Sequence, residues 1–295
     1  MNAAWCMRYE LKKGQEIYGD MKYATYQKGE DLLEFARKYD VAYDVLVQAN
    51  PVLNQEKVPA NTVLILPRKF ILPNVPRKGI VINVAERRIY YFEPNGKYFH
   101  TFPVSVGRDD KETPLGVYKI IQKKRNPVWY VPKSLYDEGI AKGIDMPKYV
   151  LPGEDNPLGK YMMRLSSPSY LIHGTNAPER IGRRQTAGCI SLYPEDIKVL
   201  FNLVPLKEQV RIINQPVKMV MINGVLVVES HNTPENWKHP FFSDPSTAVE
   251  DRLHGIYIAW KKRYHQTDAA LMQVIKEQAG IPREVKERKK RVKRS

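Results

Sequence analysis

The chain carries two short stretches that decide its fold and chemistry: Ile172-His173-Gly174-Thr175-Asn176 and Thr186-Ala187-Gly188-Cys189-Ile190-Ser191-Leu192. His173 and Cys189 lie 16 positions apart and adjoin apolar runs, which predicts two neighbouring strands joined by a basic, glycine-containing loop. A thiol attacks acyl carbons as the thiolate, and a nearby imidazole supplies the base that forms it. Ala187 and Gly188 are small and leave backbone N–H groups open toward a developing oxyanion. The stretches therefore predict a cysteine nucleophile with a histidine base.

The composition predicts a folded chain with a polyanionic partner. Apolar residues make up 43% of the 295 residues, with 18 Tyr and 4 Trp, which suffices for a packed core and excludes wholesale disorder. The net charge is +15; residues 283–295 hold eight Lys or Arg and two Glu, giving +6, so +9 remains elsewhere. Such basicity fits a cell wall, an acidic membrane or a nucleic acid, and does not choose among them.

The two cysteines, Cys6 and Cys189, provide no disulfide framework, and with six scattered histidines they give no zinc spacing. We therefore expect no metal and no cofactor. No apolar run reaches the length of a membrane span. Residues 1–20 lack the basic-then-apolar order of a signal peptide.

Residues 22–70 predict a small βααβ module. Residues 23–26 read as a strand, and Asp31 caps a helix with apolar positions at helical spacing. A second helix is predicted over residues 43–49 and a closing strand over residues 62–67.

Residues 71–218 predict a β-rich sandwich or barrel with few helices rather than a doubly wound sheet. Within them, residues 123–160 form a long, basic, proline-containing segment that includes Trp129. Segments of this length without strong periodicity are usually functional covers, so we expect a lid over the site. The alternative is an irregular surface excursion that Trp129 anchors to the core.

Residues 219–295 predict a hairpin, two helices and a basic tail. Asn223-Gly224 is a hairpin turn signal. Ser246 caps a helix that runs to Trp260, and Thr267 or Asp268 caps another that ends at Gly280.

The stretch HGTNAPERIGRRQTAGCISL, residues 173–192, resembles the signature of the L,D-transpeptidase (YkuD-type) catalytic domain. Further matches occur in order at residues 79–84, 113–118 and 156–161, so the resemblance covers roughly residues 70–218. The chain departs from the pattern at three positions: Thr186 replaces Ser, Ala187 replaces His, and Ser191 replaces Arg or Asn. Residues 22–70 resemble a LysM module through YQKGEDLLEFARKY, LVQANP and LILP. That resemblance implies binding of glycan strands; the alternative is a spacer that has lost its ligand.

The transpeptidase resemblance implies roles for the site residues. Cys189 would be the nucleophile and His173 the base, the carbonyl of Gly174 would orient the imidazole, and the N–H groups of Gly188 and Cys189 would form the oxyanion hole. Arg184 would hold a stem carboxylate. The remaining candidates for the substrate cleft are Arg183, in place of a cation missing at Ser191, and Tyr161, Asn156 and Trp129.

The implied reaction is acyl transfer from a peptidoglycan tetrapeptide stem with release of D-alanine. The acceptor would be the amine of another stem, giving a 3–3 cross-link, a lysine of an outer-membrane protein, or water. The resemblance also implies inhibition by carbapenems and a place in the periplasm of a Gram-negative envelope.

Two other functions remain open at this point. A non-catalytic peptidoglycan-binding protein with a decayed site would fit Ala187 and Ser191. A charge-driven nucleic-acid or membrane-surface protein would use residues 286–294, but no nucleic-acid motif is present, so nucleic acid is not an expected partner.

Overall fold

The computed structural model describes residues 7–55, 58–167, 169–231, 256–258, 262 and 268–285. The chain divides into two compact units. The first comprises residues 1–12, 27–44 and 77–213, and the second comprises residues 13–26, 45–76 and 214–295. The domain boundaries predicted at 22–70, 71–218 and 219–295 stay predictions.

Strands dominate the described residues. In chain order they are β1 (Met7–Glu10), β2 (Ile17–Tyr18), β3 (Lys22–Thr25), β4 (Val63–Leu66), β5 (Phe70–Ile71), β6 (Gly79–Asn83), β7 (Arg88–Phe92), β8 (Tyr98–Pro103), β9 (Val106–Gly107), β10 (Gly116–Arg125), β11 (Trp129–Tyr130), β12 (Tyr149–Val150), β13 (Tyr161–Leu165), β14 (Leu171–His173), β15 (Arg184–Thr186), β16 (Ile190–Ser191), β17 (Gln209–Ile213), β18 (Val217–Ile222), β19 (Val225–Ser230) and β20 (Arg283–Glu284). The α-helices are α1 (Leu32–Lys38), α2 (Tyr43–Ala49), α3 (Lys133–Ala141), α4 (Pro194–Leu203) and α5 (Asp268–Glu277). Short 3-10 helices occupy Pro51–Asn54 and Pro178–Arg180.

The first unit is built on a nine-stranded sheet in the order β1-β8-β7-β6-β17-β10-β13-β14-β16. Its neighbours are antiparallel except for two parallel pairs, β6 with β17 and β14 with β16. The prediction of a mainly β catalytic domain with few helices is therefore confirmed. The parallel pair at the edge matters for function, because β14 ends at His173 and β16 begins one residue after Cys189.

The core of the first unit lies against the middle of this sheet. Every residue of β6 and β7 is buried, as expected for central strands that are covered on both faces. Helix α4 begins with Pro194 at its first turn, where its fixed φ suits a helix start, and buries Ile197 and Leu200 against the sheet. Each such aliphatic side chain contributes about 1.5–3 kcal/mol when fully buried.

The predicted strand–helix–helix–strand order is confirmed as β3, α1, α2 and β4. Asp31 caps α1 by accepting from the backbone N–H groups of Leu33 and Glu34. In the second unit β3 pairs antiparallel with β4, whereas α1 belongs to the first unit. The LysM-like character of residues 22–70 stays a prediction.

The second unit also contains the three-stranded sheet β18-β19-β20. The predicted hairpin is confirmed: Asn223 and Gly224 both have positive φ, at 49° and 82°, as a tight two-residue turn requires. Inside this unit Lys218 and Glu229 form a buried ion pair at 2.9 Å, and His231 Nε2 lies 2.8 Å from the same carboxylate.

Helix α5 matches the second predicted C-terminal helix. Several predictions lie outside the described residues: the cap at Ser246 and all of that helix except 256–258, the cap at Thr267, residue Cys6 and the basic tail from 286. Across the described ranges, no helix combines the length and apolar character that a membrane span needs.

Candidate active site

Three adjacent strands place six side chains on one face of the sheet. Met162 pairs with His173, which pairs with Ser191, and Arg164 pairs with Leu171. The parallel pairing of β14 with β16, extended back by two residues from the pair His173 and Ser191, places Cys189 beside Leu171. Because side chains alternate between the faces of a strand, these residues point to one side. The residues that alternate with them along the three strands point to the opposite face, into the core, and are fully buried: Met163, Leu165, Ile172 and Ile190.

A cavity of about 800 Å³ opens on this face. The six side chains on the face all line it: Met162, Arg164, Leu171, His173, Cys189 and Ser191. Among the described residues that line it are three cations, Lys133, Arg164 and Arg180, and no carboxylate. The lining also holds one imidazole and one thiol, fewer protein ligands than a zinc site needs. The cavity therefore suits an anionic organic substrate.

His173 is oriented by its own backbone neighbour. Its Nδ1 lies 2.6 Å from the carbonyl oxygen of Gly174, the contact predicted for that glycine. In the neutral imidazole Nδ1–H donates to this carbonyl, and Nε2 keeps a lone pair. Burial lowers the pKa of His173 to about 4, although the hydrogen bond to Gly174 opposes that shift. At neutral pH the ring is therefore an uncharged base.

Cys189 is half-buried, with its Sγ 3.8 Å from the carbonyl oxygen of Ser169. Burial raises the pKa of the thiol, while the backbone N–H of Leu171 and the charge of Arg164 act in the opposite direction. The resting pair is thus a neutral thiol and a neutral imidazole. Its nucleophile forms when the imidazole removes the thiol proton during attack.

The backbone before Cys189 makes a tight turn that needs glycine. Gly188 has φ of +101°, and a Cβ there would lie 2.6 Å from the Tyr170 ring. Its N–H already donates to Thr186 Oγ1 at 3.2 Å, and that hydroxyl donates to the Cys189 carbonyl at 2.6 Å. The role of the Gly188 N–H in an oxyanion hole stays a prediction, and it requires that N–H to leave Thr186.

The structure brings Trp129 to the cavity but not Tyr161 or Asn156. The Tyr161 ring instead packs on Phe201 with centroids 5.0 Å apart. Asn156 is fully buried. Its Nδ2 donates to the carbonyls of Pro127, Val150 and Leu151, and its Oδ1 accepts from the N–H of Leu158. The prediction that Asn156 lines the cleft is corrected: its amide holds the adjoining loops together. A buried amide needs hydrogen-bond partners for both its nitrogen and its oxygen, and these loops supply them.

The two arginines proposed for the substrate, Arg183 and Arg184, are not among the cavity-lining residues. Arg183 stacks over the ring of Tyr43 at 4.3 Å, and Arg184 Nη1 lies 3.7 Å from Asp109 Oδ1. Arg164 and Arg180 line the cavity instead. Sequence reasoning missed both, although the alternation of β13 beside His173 would have pointed to Arg164.

Residues 123–160 contain regular secondary structure, which contradicts the alternative of an irregular surface excursion, while their role as a lid stays a prediction. β11 and β12 form a two-stranded antiparallel sheet with α3 between them, and residues 128–135 form one wall of the cavity. Glu138 on α3 accepts from Arg108 at 2.6 Å and from Lys111 at 2.5 Å. These two ion pairs connect α3 to the loop after β9.

A mainly β domain with an uncharged imidazole and a thiol on one cavity face has the groups that an enzyme with a cysteine nucleophile uses. The L,D-transpeptidase catalytic domain model matches residues 77–212. The chain is 36% identical over 280 residues to the Probable L,D-transpeptidase YcfS of Escherichia coli K12, covering 92% of this chain and 86% of that protein. It is 35% identical over 223 residues to the Probable L,D-transpeptidase YbiS of the same strain, covering 74% and 72%.

A more distant likeness exists to the catalytic domain of the E. faecium L,D-transpeptidase, with a TM-score of 0.37 and 21% identity, covering 48% of this chain and 99% of that chain. This last likeness is too low to add to the assignment. On the strength of the curated relatives, the chain belongs to the L,D-transpeptidase family and is an enzyme of that class.

Proposed function

We propose that this enzyme transfers an acyl group from a peptidoglycan tetrapeptide stem to an amine through a thioester on Cys189. The observation that carries the proposal is the shared cavity face of His173 and Cys189, with the imidazole held through Nδ1 and its Nε2 kept as a base. Such a pair activates a thiol without needing a permanent charge on either group.

In the first step Sγ of Cys189 attacks the carbonyl between the third and fourth stem residues while Nε2 of His173 takes the thiol proton. The C–N bond breaks, and D-alanine leaves with the proton that His173 returns to its amine. In the second step an acceptor amine loses a proton to His173 and attacks the thioester. The C–S bond breaks, and the sulfur regains a proton from the imidazole.

The charge of the cavity supports a stem peptide as substrate. Lys133, Arg164 and Arg180 line it without a carboxylate among the described lining residues, and stem peptides carry free carboxylates. Arginine is well suited to pair with a carboxylate through two parallel hydrogen bonds. In keeping with the family resemblance, we propose that the enzyme acts in the periplasm of a Gram-negative envelope.

The expected products from a purified disaccharide-tetrapeptide are free D-alanine and a dimer joined between third residues, identified by liquid chromatography and mass spectrometry. Free D-alanine with only a tripeptide product would instead show that water is the acceptor. If no dimer forms, and a conjugate of the protein with the disaccharide-tripeptide appears when a lysine-bearing outer-membrane protein is added, the acceptor is that protein. No release of D-alanine from any mixture would contradict the proposed reaction.

Residues 22–70 are proposed to bind glycan strands, in keeping with their LysM-like sequence and the observed β3-α1-α2-β4 order. We expect the full chain carrying Cys189→Ala to be retained on glycan strands freed of their stem peptides. Removing the stems takes the catalytic cavity out of the measurement. Soluble oligomers of N-acetylglucosamine should release the protein. Retention that these oligomers do not reduce would favour a spacer without a ligand and a purely electrostatic contact.

A further inference from the structure

Arg164 lies on the face of the sheet that carries the proposed nucleophile. On β13 it pairs with Leu171 of β14, and the continued register places Cys189 on the far side of Leu171. Neighbouring strands lie about 4.8 Å apart, and Cys189 is two strands away from Arg164, so about 10 Å separates the backbones of these two residues. Arg164 and Cys189 therefore rise from the same face of the sheet two strands apart, and both side chains line the cavity.

Arg164 differs from the other two cations of the cavity. The side chains of Lys133 and Arg180 are 86% and 68% exposed, whereas Arg164 is half-buried. Its Nε donates to Gln122 Oε1 at 3.3 Å, which holds the guanidinium from the neighbouring strand β10. A partly buried charge is less screened by water and salt than an exposed one.

The other ionisable groups of the cavity cannot replace this charge. His173 is neutral because burial lowers its pKa to about 4, and Ser191, opposite it in the register, carries no charge. The remaining ionisable groups that line the cavity are Lys133, Arg180, Tyr130 and Tyr170. The half-buried cation on the face of Cys189 is therefore Arg164.

We propose that Arg164 is a positioning residue that stabilises the negative charge developing on the sulfur of Cys189 when His173 removes the thiol proton. This inference rests on the proposed function of the same site. In its support, the charge of Arg164 lowers the pKa of Cys189 against the effect of burial. The inference concerns the ionisation of the Cys189 thiol and not the binding of the substrate. A small reagent that reacts with the thiolate can therefore test it.

The test is the rate at which iodoacetamide alkylates Cys189 between about pH 6 and pH 10, a range that spans the titration of most protein thiols. Intact-protein mass spectrometry follows the reaction in a Cys6→Ser background, so that only one thiol reacts. In Arg164→Gln we expect alkylation at neutral pH to slow about threefold to tenfold and the rate–pH curve to move to higher pH. Arg164→Lys keeps the charge and should restore most of the rate.

Arg125→Gln is the matched control. It removes the same charge from the neighbouring strand β10, but Arg125 pairs with Tyr161, whose ring packs into the core rather than lining the cavity. We expect its alkylation curve to coincide with that of the parent. A curve for Arg164→Gln that also coincides with the parent would overturn the inference.

A second variant covers the case in which Arg164→Gln does not fold. Arg164→Met keeps a long apolar stem and removes the charge. Its alkylation at neutral pH should slow as in Arg164→Gln, and a rate equal to that of the parent would contradict the inference. An unshifted Arg164→Gln curve with D-alanine release intact would refute only the role of Arg164. A shifted curve without D-alanine release from the parent would refute only the acyl transfer.

Discussion

Replacing Cys189 by alanine is expected to abolish covalent capture of a carbapenem, with a fall in acylation rate on the order of 10⁴-fold or more. The thiol is the proposed attacking atom, and no neighbouring group substitutes for it at comparable reactivity. A hydroxyl that could compete is that of Ser191, which lines the same cavity and lies opposite His173 in the register. Its hydroxyl is a far weaker nucleophile than a thiol at neutral pH. The measurement is intact-protein mass after incubation with a carbapenem.

Two variants make this result specific. Ser191→Ala should still form the adduct, which would exclude the hydroxyl as the nucleophile, and Cys6→Ser should form it at the parent rate. An adduct that persists in Cys189→Ala would show that the nucleophile is misassigned. If the parent forms no adduct while stem-free glycan still retains it, the chain is a peptidoglycan-binding protein whose site has decayed.

The sequence was sufficient for the parts of the site that depend on local pattern. The apolar run that ends at Ile172 predicted a strand leading into His173, and a strand is found there, β14 over Leu171–His173. The Asn223-Gly224 turn and the Asp31 cap were also predictable, because each depends on a single residue type with a particular backbone preference. The contact of Gly174 with the imidazole required the family resemblance.

The role of Asn156 shows where the sequence was not sufficient. A conspicuous polar residue beside Pro157-Leu158-Gly159 was interpreted as a cleft residue, but its amide satisfies carbonyls as far away as Pro127. No local pattern reveals that the carbonyl of Pro127, 29 residues away, converges with those of Val150 and Leu151 on the Asn156 amide. Loop geometry of this kind is fixed by tertiary packing, and so is the difference between a buried structural amide and a binding group.

The arginines were misplaced for a related reason. The family resemblance suggested Arg184, and Arg183 was proposed in place of the cation missing at Ser191. The sheet instead brings Arg164 to the cavity, because β13 and β14 are antiparallel and pair Arg164 with Leu171. The pairing of strands decides which residues that are distant in sequence share a face of the sheet. Alternation along one strand predicts the residues at a site only when that pairing is known.

Replacing His173 by asparagine is expected to lower the rate of acylation about 10²- to 10⁴-fold, the usual contribution of a general base. An asparagine amide can still donate to the Gly174 carbonyl, as Nδ1–H does now at 2.6 Å, but it has no basic Nε2. The loss therefore reports proton transfer rather than the loss of that contact. In the parent, the acylation rate should stay level from neutral pH down to about pH 5 and fall near pH 4, where the imidazole becomes protonated. A fall centred near pH 6.5 would contradict a buried, neutral base.

The same variant tests the buried state of His173 through stability. The pKa of the ring is about 4 in the folded chain and about 6.5 in an unfolded one, so between those values the unfolded chain binds the extra proton. Stability from the neutral ring is therefore complete above about pH 6.5 and is lost as the pH falls toward 4, by about 3 kcal/mol in all. Urea unfolding at a series of pH values should show this loss in the parent and not in His173→Asn, since other titrating groups affect both alike. Parallel curves would mean that the imidazole is solvated in the folded enzyme and takes its proton at an ordinary pKa, and the neutral thiol–imidazole pair would then have to be abandoned.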